Sequence, residues 1–386
     1  MSSLVEGSWD DARTIASQSF HPLPDELIEV KNGVGRTISR DVNALCDLPT
    51  YATSAMDGYA VAGIGPWKII GEVKAGMPMQ GELATGCAVG IATGAVIPIG
   101  TRGIIRWEIA TVTDRILEGE IVENQDIRPA AHECKAGDVL AIAGTELNPG
   151  TIGLLSAAGL DQLWVTRKPR VALVLFGDEI QLTGIPSDGL VRDALGPQLP
   201  GWLEKMGCEV VSTNFISDEI SLVVQALVHA SKSADIVITT GGTAHGPRDF
   251  LHEALIRIGA QILVDTVAER PGHPMLLANL NQCAVLGLPG NPQSAIVALM
   301  SLGAPVITSM LGASGSELPT VITRSELTAP VDFTRLIIGK IVNGQFEVGQ
   351  YLGSAMLRGL ADATGFAVVT KELTNTGDSV RWLSLP

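Results

Sequence analysis

Aromatic side chains make up only 4% of this 386-residue chain, and its 26 lysines and arginines face 41 aspartates and glutamates. The formal charge of −15 argues against a general binder of nucleic acid or anionic membrane, because such surfaces need a basic footprint to release counterions. Any anionic ligand must be held by local groups. Cysteine is scarce as well: Cys46, Cys87, Cys134, Cys208 and Cys283 are odd in number, scattered, and never spaced as CxxC. Neither a disulfide framework nor a zinc site is indicated, and a reducing cytoplasm is the expected compartment. No GxGxxG or GxxxxGK pattern is present, which weakens dehydrogenase and P-loop readings. The opening MSSLVEGSWDDARTIASQ lacks the basic-then-apolar order of a secretion signal. Long hydrophobic runs are missing too. The longest, Ser294 to Met310, is interrupted by Gly303 and Pro305, so a buried helix that breaks there is expected, and no membrane span.

What is abundant is aliphatic material, with 46% hydrophobic residues, 43 glycines and 21 prolines. That composition suits many short strands and tight turns, and a chain of this length exceeds the roughly 250–300 residues at which single cores stop growing. More than one domain is expected. Ser8 followed by Asp10 and Asp11 predicts a capped helix that ends near His21-Pro22. Between Trp67 and about Leu140, short β-rich runs alternate with Gly/Pro turns, the texture of an antiparallel β domain. Beyond Pro169 strand and helix alternate: VALVLF, the helix GWLEKMG, CEVVSTNF, a helix near Glu219 to Ala230, DIVITT, ILVDTV and CAVLGLP. Such alternation predicts a doubly wound, mostly parallel α/β sheet whose ligands lie at the carboxyl ends of the strands. After Leu311 short strands return, as a small separate β domain.

Three loops would converge at those strand ends. Phe176-Gly177-Asp178-Glu179 sets two carboxylates on a glycine turn, either a solvated turn or a site for a hard cation such as magnesium. Gly241-Gly242-Thr243-Ala244-His245-Gly246 leads to a helix whose first turn includes Asp249; its amides could approach an anion, or the turn could be structural. Gly290-Asn291-Pro292-Gln293-Ser294 follows CAVLGLP, with Pro292 suited to the first helical position. This is an ordinary cap, or a small-oxyanion site in which the Ser294 hydroxyl and nearby amides work beside Arg270 and His273 of the ERPGHP turn.

The segment SAMDGYAV, Ser54 to Val61, resembles a hallmark of the family of bacterial MoeA and the gephyrin E-domain, the molybdopterin molybdotransferases. Other family marks follow in order: ATGAVIP from Ala92, FGDEI, the GG loop with Asp249, the Pro271–Pro274 turn, GLPGNPQSA from Gly287, and DFTR from Asp332. The resemblance spans nearly the whole chain. It implies an α/β multidomain fold: an N-terminal helical and extended unit (1–50 with 138–168), a β-rich domain (51–137), a doubly wound molybdopterin-binding domain (169–311) and a C-terminal β-barrel (312–386). It implies insertion of molybdate into adenylylated molybdopterin with Mg2+ present and AMP released, by a homodimer whose active site is shared between subunits. Molybdopterin adenylyltransferase and other cofactor-biosynthesis proteins would be partners.

Carried over by position, Asp57, Glu179, Asp218 and Asp249 would be catalytic, with Asp178, Glu179 and Asp249 holding the metal. Molybdate would meet Arg270, His273, Ser294, Arg335 and Ser354, and the pterin and its phosphates would meet Thr93, Gly177, Gly241, Gly242, Thr243, Gly246 and Asn291. Asp57 and Thr93 would come from the second subunit. The chain departs from the family where Arg270 and His273 replace lysines, and where Phe176, Ala194 and Ala244 replace hydroxyl residues. The alternatives are a catalytically impaired paralogue acting as a cofactor carrier or scaffold, and, from the GG loop alone, a molybdopterin adenylyltransferase.

Overall fold

The computed structural model describes residues 3–243, 250–313, 315 and 317–386. The aliphatic runs beyond Pro169 form a seven-stranded sheet in the order Leu4–Gly7, Gln261–Val267, Leu276–Leu280, Cys283–Leu288, Ile236–Thr240, Arg170–Phe176 and Glu209–Ile216. Every pairing is parallel except the two made by Leu276–Leu280. Val171 to Phe176 are all buried, because helices cover both faces of a parallel sheet. On one face lie Trp9–Gln18, Leu195–Lys205 and the long helical segment from Pro292. On the other are Ile220–Ala230 and Leu251–Arg257. The doubly wound architecture expected from the alternation is therefore present, with one antiparallel strand added.

Three local expectations are corrected. The first concerns the start of the chain, expected within an N-terminal unit of residues 1–50. Its helix is capped as expected, the Ser8 hydroxyl accepting the Asp11 amide at 3.1 Å. Yet Trp9, Ala12 and Ala16 form a stripe at helical spacing that enters the sheet core, and Leu4–Gly7 pairs with Gln261–Val267. Residues 4–18 thus pack with the doubly wound part. The strand Asp25–Glu29, by contrast, pairs with Gln162–Thr166 around a separate small core.

The second correction is that the helix read as GWLEKMG begins earlier, at Leu195, and contains Pro200. Asp193 explains the start: its Oδ1 accepts the amides of Leu195 and Gly196, both at 3.0 Å. The third is that the helix expected to break at Gly303-Pro305 continues to Met310 through a π-helical turn at Leu299–Gly303. Pro305 has no N–H for the carbonyl four residues back. That carbonyl, of Ser301, is taken instead by the Arg13 guanidinium at 3.3 Å, which also reaches the Met300 carbonyl at 2.7 Å. By length and composition Pro292–Met310 could cross a membrane, but 83% of its apolar window is buried inside the protein.

The β-rich part is a six-stranded sheet ordered Gly103–Arg106, Gly58–Val61, Cys87–Ile91, Trp67–Val73, Ile116–Glu118 and Thr111–Thr113, with its own cores. At the C-terminus five strands close into a barrel: Thr334–Val342, Gln345–Val348, Thr320–Thr323, Ser379–Ser384 and Gly365–Val369, the last returning to the first. Glu269–Arg270 runs parallel to Thr334–Arg335 and attaches to this barrel. Barrel residues Leu336, Ile338, Phe366, Val368 and Leu383 join the same apolar cluster as the sheet helices. Sheet and barrel should therefore melt together. Phe366→Ala, at a fully buried position, is expected to lower stability by about 3–5 kcal/mol in one coincident transition by far-UV circular dichroism and tryptophan emission; two resolved transitions would show that the units are independent.

Candidate active site

The carboxyl ends of three adjacent parallel strands interlock through glycine. The Gly241 amide donates to the Leu288 carbonyl at 2.9 Å. A Cβ on Gly241 would lie 3.8 Å from the Phe176 carbonyl oxygen, and one on Gly290 would lie 4.0 Å from the Gly241 Cα. Gly177, Gly241 and Gly242 have φ of +135°, +80° and +67°, values that disfavour side chains. Thr243 is buried beneath them. The three expected loops are thus neighbours. Gly246 and Asp249 lie outside the described residues.

The acidic loops are fixed reciprocally. The Asp178 amide faces Asp218 Oδ2 at 3.5 Å, and the Asp218 amide donates to Asp178 Oδ1 at 3.3 Å. Glu179 follows, its carbonyl accepting the Val191 amide at 2.8 Å. The short pair Ile180–Gln181 with Val191–Arg192 then returns the chain to Asp193. Among the described residues no three or more histidine, cysteine or acidic side chains cluster as a protein-only metal cage. Two carboxylate loops beside the glycine loops have the chemistry that suits magnesium, which commonly takes one or two carboxylates together with substrate phosphates and water. Next to Asp193, Ala194 opens an apolar cleft of about 490 Å³ between two helices, lined by Gln198, Trp202, Leu357 and Leu360.

The basic residues meet at the sheet–barrel junction. Arg270 and Arg335 are direct partners in parallel strands. The Arg270 guanidinium lies 5.0 Å from the centre of the Phe333 ring, whose other neighbour is His273 at 5.7 Å between ring centres. Arg335 donates to the carbonyl and hydroxyl of Thr328 at 3.0 and 3.3 Å. His273 Nε2 is 3.2 Å from Glu6 Oε1, a partner the sequence did not reveal because 267 residues separate them. Phe333 lay within the DFTR motif, though its stacking role was not legible.

At the helix beginning at Pro292, Gln293 and Ser294 donate their amides to the Ser354 carbonyl at 3.0 and 3.3 Å, which is the capping alternative for these amides that the sequence left open. The Asn291 side-chain amide reaches the Ser354 hydroxyl at 3.4 Å. Asn291, Ser294 and Ser354 are brought together as expected, but the barrel itself satisfies those donors, as buried helix ends require.

Asp57 and Thr93 form one exposed unit in the β-rich part, away from the sheet core. Asp57 Oδ1 accepts the Thr93 amide at 2.7 Å and its hydroxyl at 3.0 Å. The backbone amide first, then the hydroxyl, hold the Asp57 carboxyl below the usual carboxylate range.

Comparison with known proteins places these features in context. Residues 7–159 match the MoeA N-terminal region (domain I and II), and residues 172–309 match the probable molybdopterin binding domain. The molybdopterin molybdenumtransferase of Haemophilus influenzae is 30% identical over 384 residues, covering 95% of each chain. That of Staphylococcus aureus strain COL is 28% identical over 334 residues, covering 82% of this chain and 80% of its own. Two structures of the molybdopterin biosynthesis protein from Pyrococcus horikoshii share the fold. They have TM-scores of 0.81 and 0.84 at 23% and 22% identity, over 98% of this chain and 99% and 100% of theirs.

Two measurements probe the site's electrostatics. Thr93→Val removes one donor to Asp57, so carboxyl carbon NMR should show the Asp57 titration moving upward, with its negative charge lost at a higher pH as acid is added. An unmoved titration would dissociate Asp57 from Thr93. Glu6→Gln removes an exposed anion facing His273, so molybdate titrated by calorimetry should bind several-fold more tightly than to wild type. Equal or weaker binding would place the oxyanion elsewhere.

Proposed function

The chain belongs to the MoeA family of molybdopterin molybdenumtransferases, and from that premise we propose how its residues carry out the molybdate insertion of molybdenum-cofactor biosynthesis. The enzyme is a transferase acting on molybdopterin. In this reading the substrates are adenylylated molybdopterin and molybdate: water cleaves the phosphoanhydride, releasing AMP and leaving the pterin phosphate, and the two pterin thiols bond to molybdenum as one molybdate oxygen leaves with their protons as water. The observation that carries the reading is the pairing of Arg270 with Arg335 on a junction beside the interlocked acidic and glycine loops. Two permanent cations suit a tetrahedral dianion, and His273, Ser294 and Ser354 complete its surroundings.

The Gly241-Gly242-Thr243 backbone offers close approach to phosphate, while Asp178, Glu179 and Asp218 would hold Mg2+, Asp249 of the same expected set lying outside the described residues. That ion, when bound, offsets negative charge on the phosphate oxygens. Gln198 and Trp202 in the apolar cleft offer an amide and an aromatic face to the flat pterin ring. Asp57 and Thr93 sit in a separate unit with separate cores, which supports a site completed by the β-rich part of a second copy. Thr93 keeps Asp57 ionised there, ready to accept a hydrogen bond from the substrate.

A carrier is the second reading, favoured by the Glu6 carboxylate at His273, since it opposes an incoming anion. Turnover separates the two. Glu179→Gln should leave the protein folded and lower magnesium-dependent AMP release by at least about 100-fold, because an amide keeps the size and loses the anionic oxygens. Wild-type turnover in that variant would remove Glu179 from the chemistry, and no release from the wild-type protein would favour the carrier.

The shared site has its own test. An Asp57→Asn chain mixed with a Glu179→Gln chain should regain activity, because one of the two sites in the mixed dimer contains neither change. If subunits exchange and activity does not return, each site belongs to a single chain.

A further inference from the structure

Directly beneath the Arg270–His273 turn lies a carboxyl group that the chemistry above leaves unused. Glu269 is fully buried. Its Oε2 accepts the Ser301 hydroxyl at 2.9 Å, and Ser301 Oγ in turn accepts the Trp9 indole N–H at 2.8 Å. Its Oε1 is buried with no hydrogen-bond partner. A Cβ at position 272 would stand only 2.7 Å from that oxygen, so the turn can close over it only with glycine there, and Gly272 has φ of +108°. Ser301 belongs to the π-helical turn, whose carbonyls at Met300 and Ser301 are held by Arg13. A chain of contacts thus runs from the N-terminal helix through the π turn to the residue preceding Arg270.

Burial pushes the Glu269 carboxyl well above its ordinary range, against the opposing effects of the Ser301 hydroxyl and Arg13, which favours the neutral acid. Burial likewise pushes the Arg13 guanidinium down to about 10. An uncharged acid under the turn leaves the charge of Arg270 uncompensated from below, whereas a carboxylate there would weaken its hold on an anion.

We propose that Glu269, locked by Ser301 and Trp9, is a positioning residue that sets the Arg270–Pro271–Gly272–His273 turn for oxyanion binding. The proposal rests on the reading that this turn meets molybdate. It accounts for a polar group at a fully buried position where an aliphatic side chain would pack without an unsatisfied oxygen. It also gives the π turn a task, since the π geometry brings Ser301 to Glu269 and its carbonyls to Arg13.

The test is calorimetric titration of the full-length protein with molybdate alone, alongside steady-state assays varying each substrate. Ser301→Ala and Glu269→Ala should each weaken molybdate binding about tenfold and raise the KM for molybdate equally. The KM for adenylylated molybdopterin should stay within about twofold. The double variant should be no worse than either single one, because both cut the same link. Glu269→Gln, neutral and able to accept from Ser301, should restore binding to within about threefold of wild type. Circular dichroism of each variant confirms folding; Ser301→Ala removes one hydroxyl only and serves if Glu269→Ala fails to fold. Unchanged molybdate affinity in Ser301→Ala, additive losses in the double variant, or equal losses with Gln and Ala would each overturn the proposal. Wild-type protein that binds no molybdate would instead overturn the oxyanion reading, and this proposal with it.

Discussion

A two-residue ladder, Glu269–Arg270 beside Thr334–Arg335, is the constraint on which the arrangement of the site depends. It ties the turn after the sheet strand Gln261–Val267 to the barrel strand Thr334–Val342 and sets two arginines side by side. The apolar cluster shared by the sheet helices and Phe366, Val368 and Leu383 makes that junction rigid. The Ser354 carbonyl, received by the amides of Gln293 and Ser294, adds a polar seal. A loop attachment would leave the two cations free to separate; a shared core and a strand pairing do not.

Charge is distributed around this junction with some economy. The chain is strongly acidic as a whole, so the paired Arg270 and Arg335 are a local exception to its charge, and even near them Glu6 faces His273. On the β-rich part, Thr93 fixes the ionised form of Asp57. The acidic loops at Asp178 and Asp218 brace one another through backbone amides.

Much of this was legible in the sequence. The doubly wound sheet followed from the alternation of VALVLF, DIVITT and CAVLGLP with helices, because strand period and turn chemistry are local properties. The convergence of the GDE, GG and GNPQS loops followed from that topology. What was hidden depends on long-range contacts. Leu4–Gly7 reads as an ordinary short run until its partner at Gln261–Val267 is known. Pro305 signals a helix break unless Arg13, 288 positions before Ser301, can cap the Ser301 carbonyl that proline leaves unpaired. At the helix start at Pro292 the sequence allowed a cap or an anion site, and the Ser354 carbonyl that takes its amides lies 60 residues beyond Ser294 along the chain. The partner of His273 was hidden for the same reason, Glu6 lying 267 residues away.

The central claim is that molybdate is bound at the sheet–barrel junction. Anomalous diffraction at the molybdenum edge from a crystal soaked in molybdate tests it most directly. The account predicts a single strong peak within contact distance of Arg270 and Arg335, near His273 and Ser354, with Glu6 displaced from the imidazole. A peak lying elsewhere, with that junction empty and Glu6 still against His273, would contradict it.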